Sequence, residues 1–162
     1  MSHYDRNQGG SQQQNYHSGS RRDEMSDIKT ALEDKGTIKW FFPDNKQDLR
    51  PALLGAEAET RAKKMKEIKT SQIRRFYAPV VAFRQRLNID NNISDLEIQA
   101  QIQLMRANAA YAGARKQPIE LVRFFTNVAA SVFNRKDYDA FARHFECVIA
   151  YHRVFGEEKE GN

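Results

Sequence analysis

From residue 50 to residue 155 the apolar positions recur every three or four residues and nowhere alternate as a half-buried strand would. That pattern predicts five helices. The first starts near Pro51 and runs to about Lys66, built on Ala52, Ala56, Ala58, Ala62 and Met65, with Leu53 and Leu54 as apolar bulk and Gly55 weakening its first turns. The second starts at Thr70 or Ser71, either of which can cap free backbone N–H groups, and places Ile73, Phe76, Tyr77, Val80, Val81 and Leu87 on one face. Pro79 lies inside it. A proline there removes a backbone bond and crowds the preceding turn, so a kink or a break with a restart is expected. After an Asn/Asp-rich loop from Leu87 to Asn92, Ser94 and Glu97 form a capping box flanked by Ile93 and Ile98 at the spacing of a hydrophobic staple. That third helix continues through Ile102, Met105 and Ala109 to about Ala114. The fourth opens at Pro118, a favoured first-turn residue, with Leu121, Phe124, Phe125, Val128, Val132 and Phe133 as its apolar face. The fifth runs from Lys136 to Phe155 and stops at Gly156. The expected class is all-α: a compact bundle of about five helices with a disordered N-terminal tail.

The flanking segments read differently. Residues 1–27 are mostly Ser, Gln, Asn, Gly, His and charge, too polar to offset the entropy of ordering, and are expected to form a disordered tail. They contain no apolar stretch of the kind a signal peptide needs. Tyr4 and Tyr16 offer weak stacking on bases, but a solvated tail is the simpler reading. Residues 28–49 are expected to be a linker carrying the apolar patch Ile38, Trp40, Phe41 and Phe42. That patch should dock, because left in water it is an aggregation hazard. The bundle is placed at 50–156 and a short C-terminal tail at 157–162. No apolar run reaches the length of a membrane span. Cys147 is the only cysteine, which excludes an intrachain disulfide and suits a reducing cytoplasm.

Charge is concentrated in one place. Between Arg61 and Arg86 lie nine basic residues and one acid, Glu67, a local net charge of +8 on a chain whose total is +5. Such a field on a helical segment suits a polyanionic partner. Arg74 and Arg75 sit beside the apolar stripe of the second helix, Lys69 in the joint before it, and Arg115 and Lys116 at the end of the third. Rows of cations at these positions can follow a sugar–phosphate strand without reading bases. The bland alternative for any one of them is a solvated face, or a cation complementing a helix C-terminus.

Catalytic chemistry finds little footing. No HExxH, Walker loop, GxGxxG or CxxC motif is present. His144 and His152 are eight residues apart on one helix, about 12 Å, too far to share a metal. Cys147 borders an apolar stripe and reads as an inert thiol, His152 as a core or interface histidine. Asp137 and Asp139 read as carboxylates at the positive end of the last helix. No catalytic residue, metal or cofactor is expected.

The segment Thr70 to Tyr77 (T-S-Q-I-R-R-F-Y) resembles the small helical subunit of type III-A CRISPR effector complexes, the Csm complexes. Two further blocks agree in order: Ala109 to Arg115 (A-A-Y-A-G-A-R) and Phe145 to Arg153 (F-E-C-V-I-A-Y-H-R). Ala56 to Met65 is similar to that family's first helix, more loosely. The resemblance covers residues 50–156. It implies a non-enzymatic, all-helical subunit that stacks head to tail as a filament in a ribonucleoprotein of antiviral defence. The implied partners are guide RNA and target RNA, further copies of itself, and the backbone and large subunits, which carry the cleavage chemistry. Carried over by position, Arg74, Arg75 and Arg115 face RNA, with Lys69 and Lys116 following by adjacency. The rival reading is a helical protein–protein adaptor whose basic surface meets an acidic partner. A helix-turn-helix DNA regulator fits less well, because no recognition helix stands out.

Overall fold

A computed structural model describes residues 17–115 and 119–156. Among them the chain forms α1 (His17–Leu32), a single 3-10 turn (Pro51–Leu53), α2 (Ala56–Lys64), α3 (Thr70–Ile89), α4 (Asp95–Gly113), α5 (Ile119–Ala129) and α6 (Arg135–Phe155). The all-α class holds. The described residues form no strand, only one isolated antiparallel bridge between Phe41 and Leu49, and no helix long and apolar enough to cross a membrane.

α6 is the hub. It packs on α2 along one side and on α3 along another, while α5 packs on α4 and α1. Tyr138, Phe141, Phe145 and Val148 of α6 are fully buried against Leu121, Phe124, Phe125 and Val128 of α5. Most of these rings meet at tilted or edge-on angles, such as Phe124 to Phe145 at 5.2 Å, Phe141 stacks on Phe145, and Phe83 of α3 meets Tyr138 edge-on at 5.1 Å. Such pairs add about 0.5–1.5 kcal/mol each beyond the area they bury. His144 and His152, on the same buried side of α6, bond to backbone carbonyls flanking α2. His144 Nδ1 meets the Leu53 carbonyl at 2.6 Å and His152 Nε2 the Met65 carbonyl at 3.1 Å. Burial holds the His144 imidazole neutral, pulling its pKa down to about 4.

Several expectations change. α1 crosses the boundary drawn at residue 27, because Ile28, Ala31 and Leu32 give its last turns an apolar side that packs on Val122 and Ile119. The rest of the expected tails, residues 1–16 and 157–162, falls outside the described residues. The first predicted helix is divided. Pro51–Leu53 forms a 3-10 turn, the chain leaves helical dihedrals at Gly55 (φ −111°, ψ −109°), and α2 starts at Ala56. Neither Thr70 nor Ser71 caps α3. Lys69 occupies the N-cap position, and Gln72 Oε1 accepts its backbone N–H at 3.3 Å. Ser94 does cap α4, its Oγ accepting from the Glu97 N–H at 3.1 Å, but the Glu97 carboxylate pairs with Arg86 instead of reaching back. α3 runs unbroken through Pro79, and α6 begins as expected, with Asn134 Oδ1 accepting from the Asp137 N–H.

The linker is no spacer. Trp40 is 4 % exposed, packs on Phe141 and His144, and donates its Nε1–H to the Ser131 carbonyl at 2.7 Å. Arg50 returns the chain beside it, donating from its backbone to the Trp40 carbonyl and forming an ion pair with Glu57 at 2.8 Å. The expected docking of the patch therefore holds for Trp40, while Phe42 stays 44 % exposed.

Candidate nucleic-acid interface

The basic segment sorts into two sets. Arg61 is half-buried against the core with its guanidinium 4.8 Å from the Phe124 ring centre, and desolvation lowers its pKa. Lys63 pairs with Glu59, Arg84 with Asp139 and Arg86 with Glu97. Outside that segment, Arg123 pairs with Asp34 and Glu120. Arg135 donates to the carbonyls of Leu87, Asp90 and Ile93, closing the end of α3. Lys136 donates to the Lys46 carbonyl at 2.8 Å. These cations have structural partners. Arg74, Arg75 and Arg115 are exposed and form no ion pair among the described residues. Lys69 is exposed beside the N-terminus of α3. Lys116 lies outside the described residues.

Geometry joins two of the free arginines. α3 and α4 are consecutive in the chain but pack little against each other, since α3 lies on α6 and α4 on α5. Between them opens a cleft of about 520 Å³. Gln72, Arg75, Phe76 and Pro79 line it from α3, spaced i, i+3, i+4 and i+7 and so on one helix face. Asn108, Tyr111 and Arg115 line the opposite wall, with Met105 and Phe125 beneath. Phe125 is fully buried and its ring lies 5.8 Å from that of Phe76, so the floor is apolar and ordered. The Arg115 guanidinium sits 5.2 Å from the centre of the Tyr111 ring, and Tyr111 is 64 % exposed. Pro79 has no N–H, so the Arg75 carbonyl on this wall lacks its usual donor four residues on.

Arg74 does not line the cleft. It lies next to Arg75 on the exposed surface of α3. Charge reasoning alone missed Tyr111, Asn108 and Gln72. The available signal was the spacing Asn108–Tyr111–Arg115, which puts an amide and an aromatic ring on neighbouring turns of α4 and a cation just past its end.

The other candidate chemistry stays structural. No group of side chains among the described residues is arranged to hold a metal ion. Cys147 is half-buried, and burial raises its pKa, which disfavours the reactive thiolate. Asp139 is engaged by Arg84, and Asp137 accepts the Phe133 N–H at 3.1 Å.

No curated protein and no solved structure matches the chain significantly. The model of one protein family does match, over residues 48–158, a span that takes in the cleft and all of α2 to α6 but neither α1 nor Trp40. An all-helical bundle, the motif blocks on α3, α4 and α6, and that match agree: the chain belongs to the Csm2 Type III-A family, the small subunits of the type III-A CRISPR effector complex.

Proposed function

We propose that this small subunit binds RNA in the cytoplasm without regard to sequence, using the exposed arginines at the α3–α4 cleft to neutralise phosphates. The observation that carries this reading is the division of the cations. Arg61 is half-buried over Phe124, and Arg84 and Arg86 pair with carboxylates, whereas Arg74, Arg75 and Arg115 are exposed and pair with no carboxylate among the described residues. An arginine left unpaired on a rigid helix is preorganised for bidentate contact with phosphate. The ligands are guide RNA and target RNA, and Lys69 and Lys116 extend the basic strip. Copies stack into a filament beside the backbone and large subunits, and the role in antiviral defence is structural, with no bond made or broken here.

Filter binding of the purified chain to unrelated single-stranded RNAs at several salt concentrations tests this. Affinity should fall log-linearly with salt, by about 0.7 in slope per phosphate neutralised, and differ little between sequences. Arg74→Glu with Arg75→Glu should weaken binding while leaving the melting curve in place. Unchanged binding in that variant removes these residues from the interface. Selective capture of an acidic protein, with no RNA affinity at low salt, would favour the adaptor reading.

A further inference from the structure

Phosphate contact explains the arginines at the cleft but not the space between them. A strand held only by its backbone needs cations that track its phosphates, and no apolar floor. Here Arg75 and Arg115 stand on opposite walls of a cavity whose floor is Phe76, Met105 and Phe125. Its volume of about 520 Å³ falls in the range of sites that enclose a small ligand, roughly 300–1,000 Å³. Resting on the proposal above that the chain binds RNA, we infer that the α3–α4 cleft receives one unpaired nucleobase, stacked against Tyr111, while its flanking phosphates are held by Arg75 and Arg115.

Three observations converge on that occupant. The apolar floor suits a base face and not a phosphate. Tyr111 is largely exposed, as a stacking platform must be, and already carries a cation at 5.2 Å, so an aromatic plane and a phosphate-binding group are fixed together. Asn108 and Gln72 at the rim supply amides that both donate and accept, matching base edges without demanding one base. A base within a duplex cannot enter, because it is stacked and paired on both sides. The cleft therefore adds a preference for single strands to the uniform attraction of the charges.

The test uses the full chain, a short single-stranded RNA carrying one 5-iodouridine, and the same RNA in a complete duplex. Asn108→Trp plugs the cleft from an exposed position without altering a cation or a buried residue. Tyr111→Ala removes the platform. Each should lower single-strand affinity about tenfold, the scale of one lost base–aromatic stack, with the salt slope and duplex affinity unchanged. Irradiation of the wild-type complex should cross-link the iodouridine to Tyr111 or Phe76. Wild-type affinity in both variants, with cross-links mapping elsewhere, overturns base insertion while the phosphate reading stands. If Arg75→Glu with Arg115→Glu leaves both affinity and salt slope intact, RNA binding at this face fails and the inference with it. A changed oligomeric state in Asn108→Trp with unaltered RNA affinity would assign the cleft to a second copy of the chain and also overturn the inference.

Discussion

Trp40→Ala should destabilise the whole bundle, although Trp40 lies before α2 and outside the span matched by the family model. The ring is 4 % exposed and contacts Phe141 and His144 at centroid distances of 6.4 and 6.1 Å. An aromatic ring of this kind buries roughly 150–250 Å². At about 25 cal/mol per Å² that is about 4–6 kcal/mol as an upper bound, and core truncations of this type measure about 3–5 kcal/mol. The indole also donates to the Ser131 carbonyl at 2.7 Å, so Trp40→Phe should keep most of the packing and lose about 1–2 kcal/mol through that carbonyl alone. Against a total stability of about 5–15 kcal/mol, the alanine change is large. Urea unfolding followed by far-UV circular dichroism is the assay, because Trp40 is the only tryptophan and its fluorescence disappears with it. With a slope of about 2 kcal/mol per molar, the midpoint should fall by about 2 M. A loss below about 1 kcal/mol would refute the docking of residues 37–50 onto α6.

Three further outcomes follow from particular contacts. A Cβ on Gly113 would stand 2.8 Å from Val122 Cγ2, which is buried and stiff. Gly113→Ala should therefore lower the melting temperature despite a helix-propensity gain of about 1 kcal/mol, and a double-mutant cycle with Val122→Ala should show favourable coupling. His144 is held neutral in the fold with a pKa near 4, while the unfolded chain protonates it near its ordinary value of about 6.5. Between those values the unfolded state binds the extra proton, so its stabilising share is full above about pH 6.5 and falls by about 3 kcal/mol as pH drops to 4. His144→Gln should be less stable at neutral pH but lose less on acidification, read as urea midpoints at the two pH values. Pro79 is exposed within α3, so Pro79→Ala re-forms a helical bond to the Arg75 carbonyl and should raise the melting temperature, worth up to about 3 kcal/mol. No change, or a decrease, would mean that α3 depends on the proline.

The sequence shows α6 nearly whole, since Tyr138, Phe141, Phe145, Val148 and His152 repeat at the helical interval and Gly156 follows the last of its turns. It shows the start of α4 in Ser94. It conceals α1 because the apolar positions there are few, and only Val122 and Ile119 of α5, some ninety residues away, give Ile28 and Ala31 something to bury against. Composition averages over such a short stripe. The charge pattern likewise marks a basic segment but not which of its cations remain available. Arg61, Arg84 and Arg86 look equivalent to Arg75 in the chain, and only tertiary packing separates them, setting Arg61 over Phe124 of α5, Arg84 beside Asp139 of α6 and Arg86 beside Glu97 of α4. The cleft is a property of two helices diverging onto different neighbours, which no local spacing records.

α2 is the shortest of the six described helices, too short to hold itself in water. Its two ends are gripped by imidazoles of α6, and both accepting groups are main-chain oxygens that every residue possesses. Axial sliding or rolling of α2 would break both bonds at once, whichever side chains it carried. Its sequence is thus free to drift on the outer side, and a change at His144 or His152 would be felt first as a loss of alignment between these two rods, before any loss of helix.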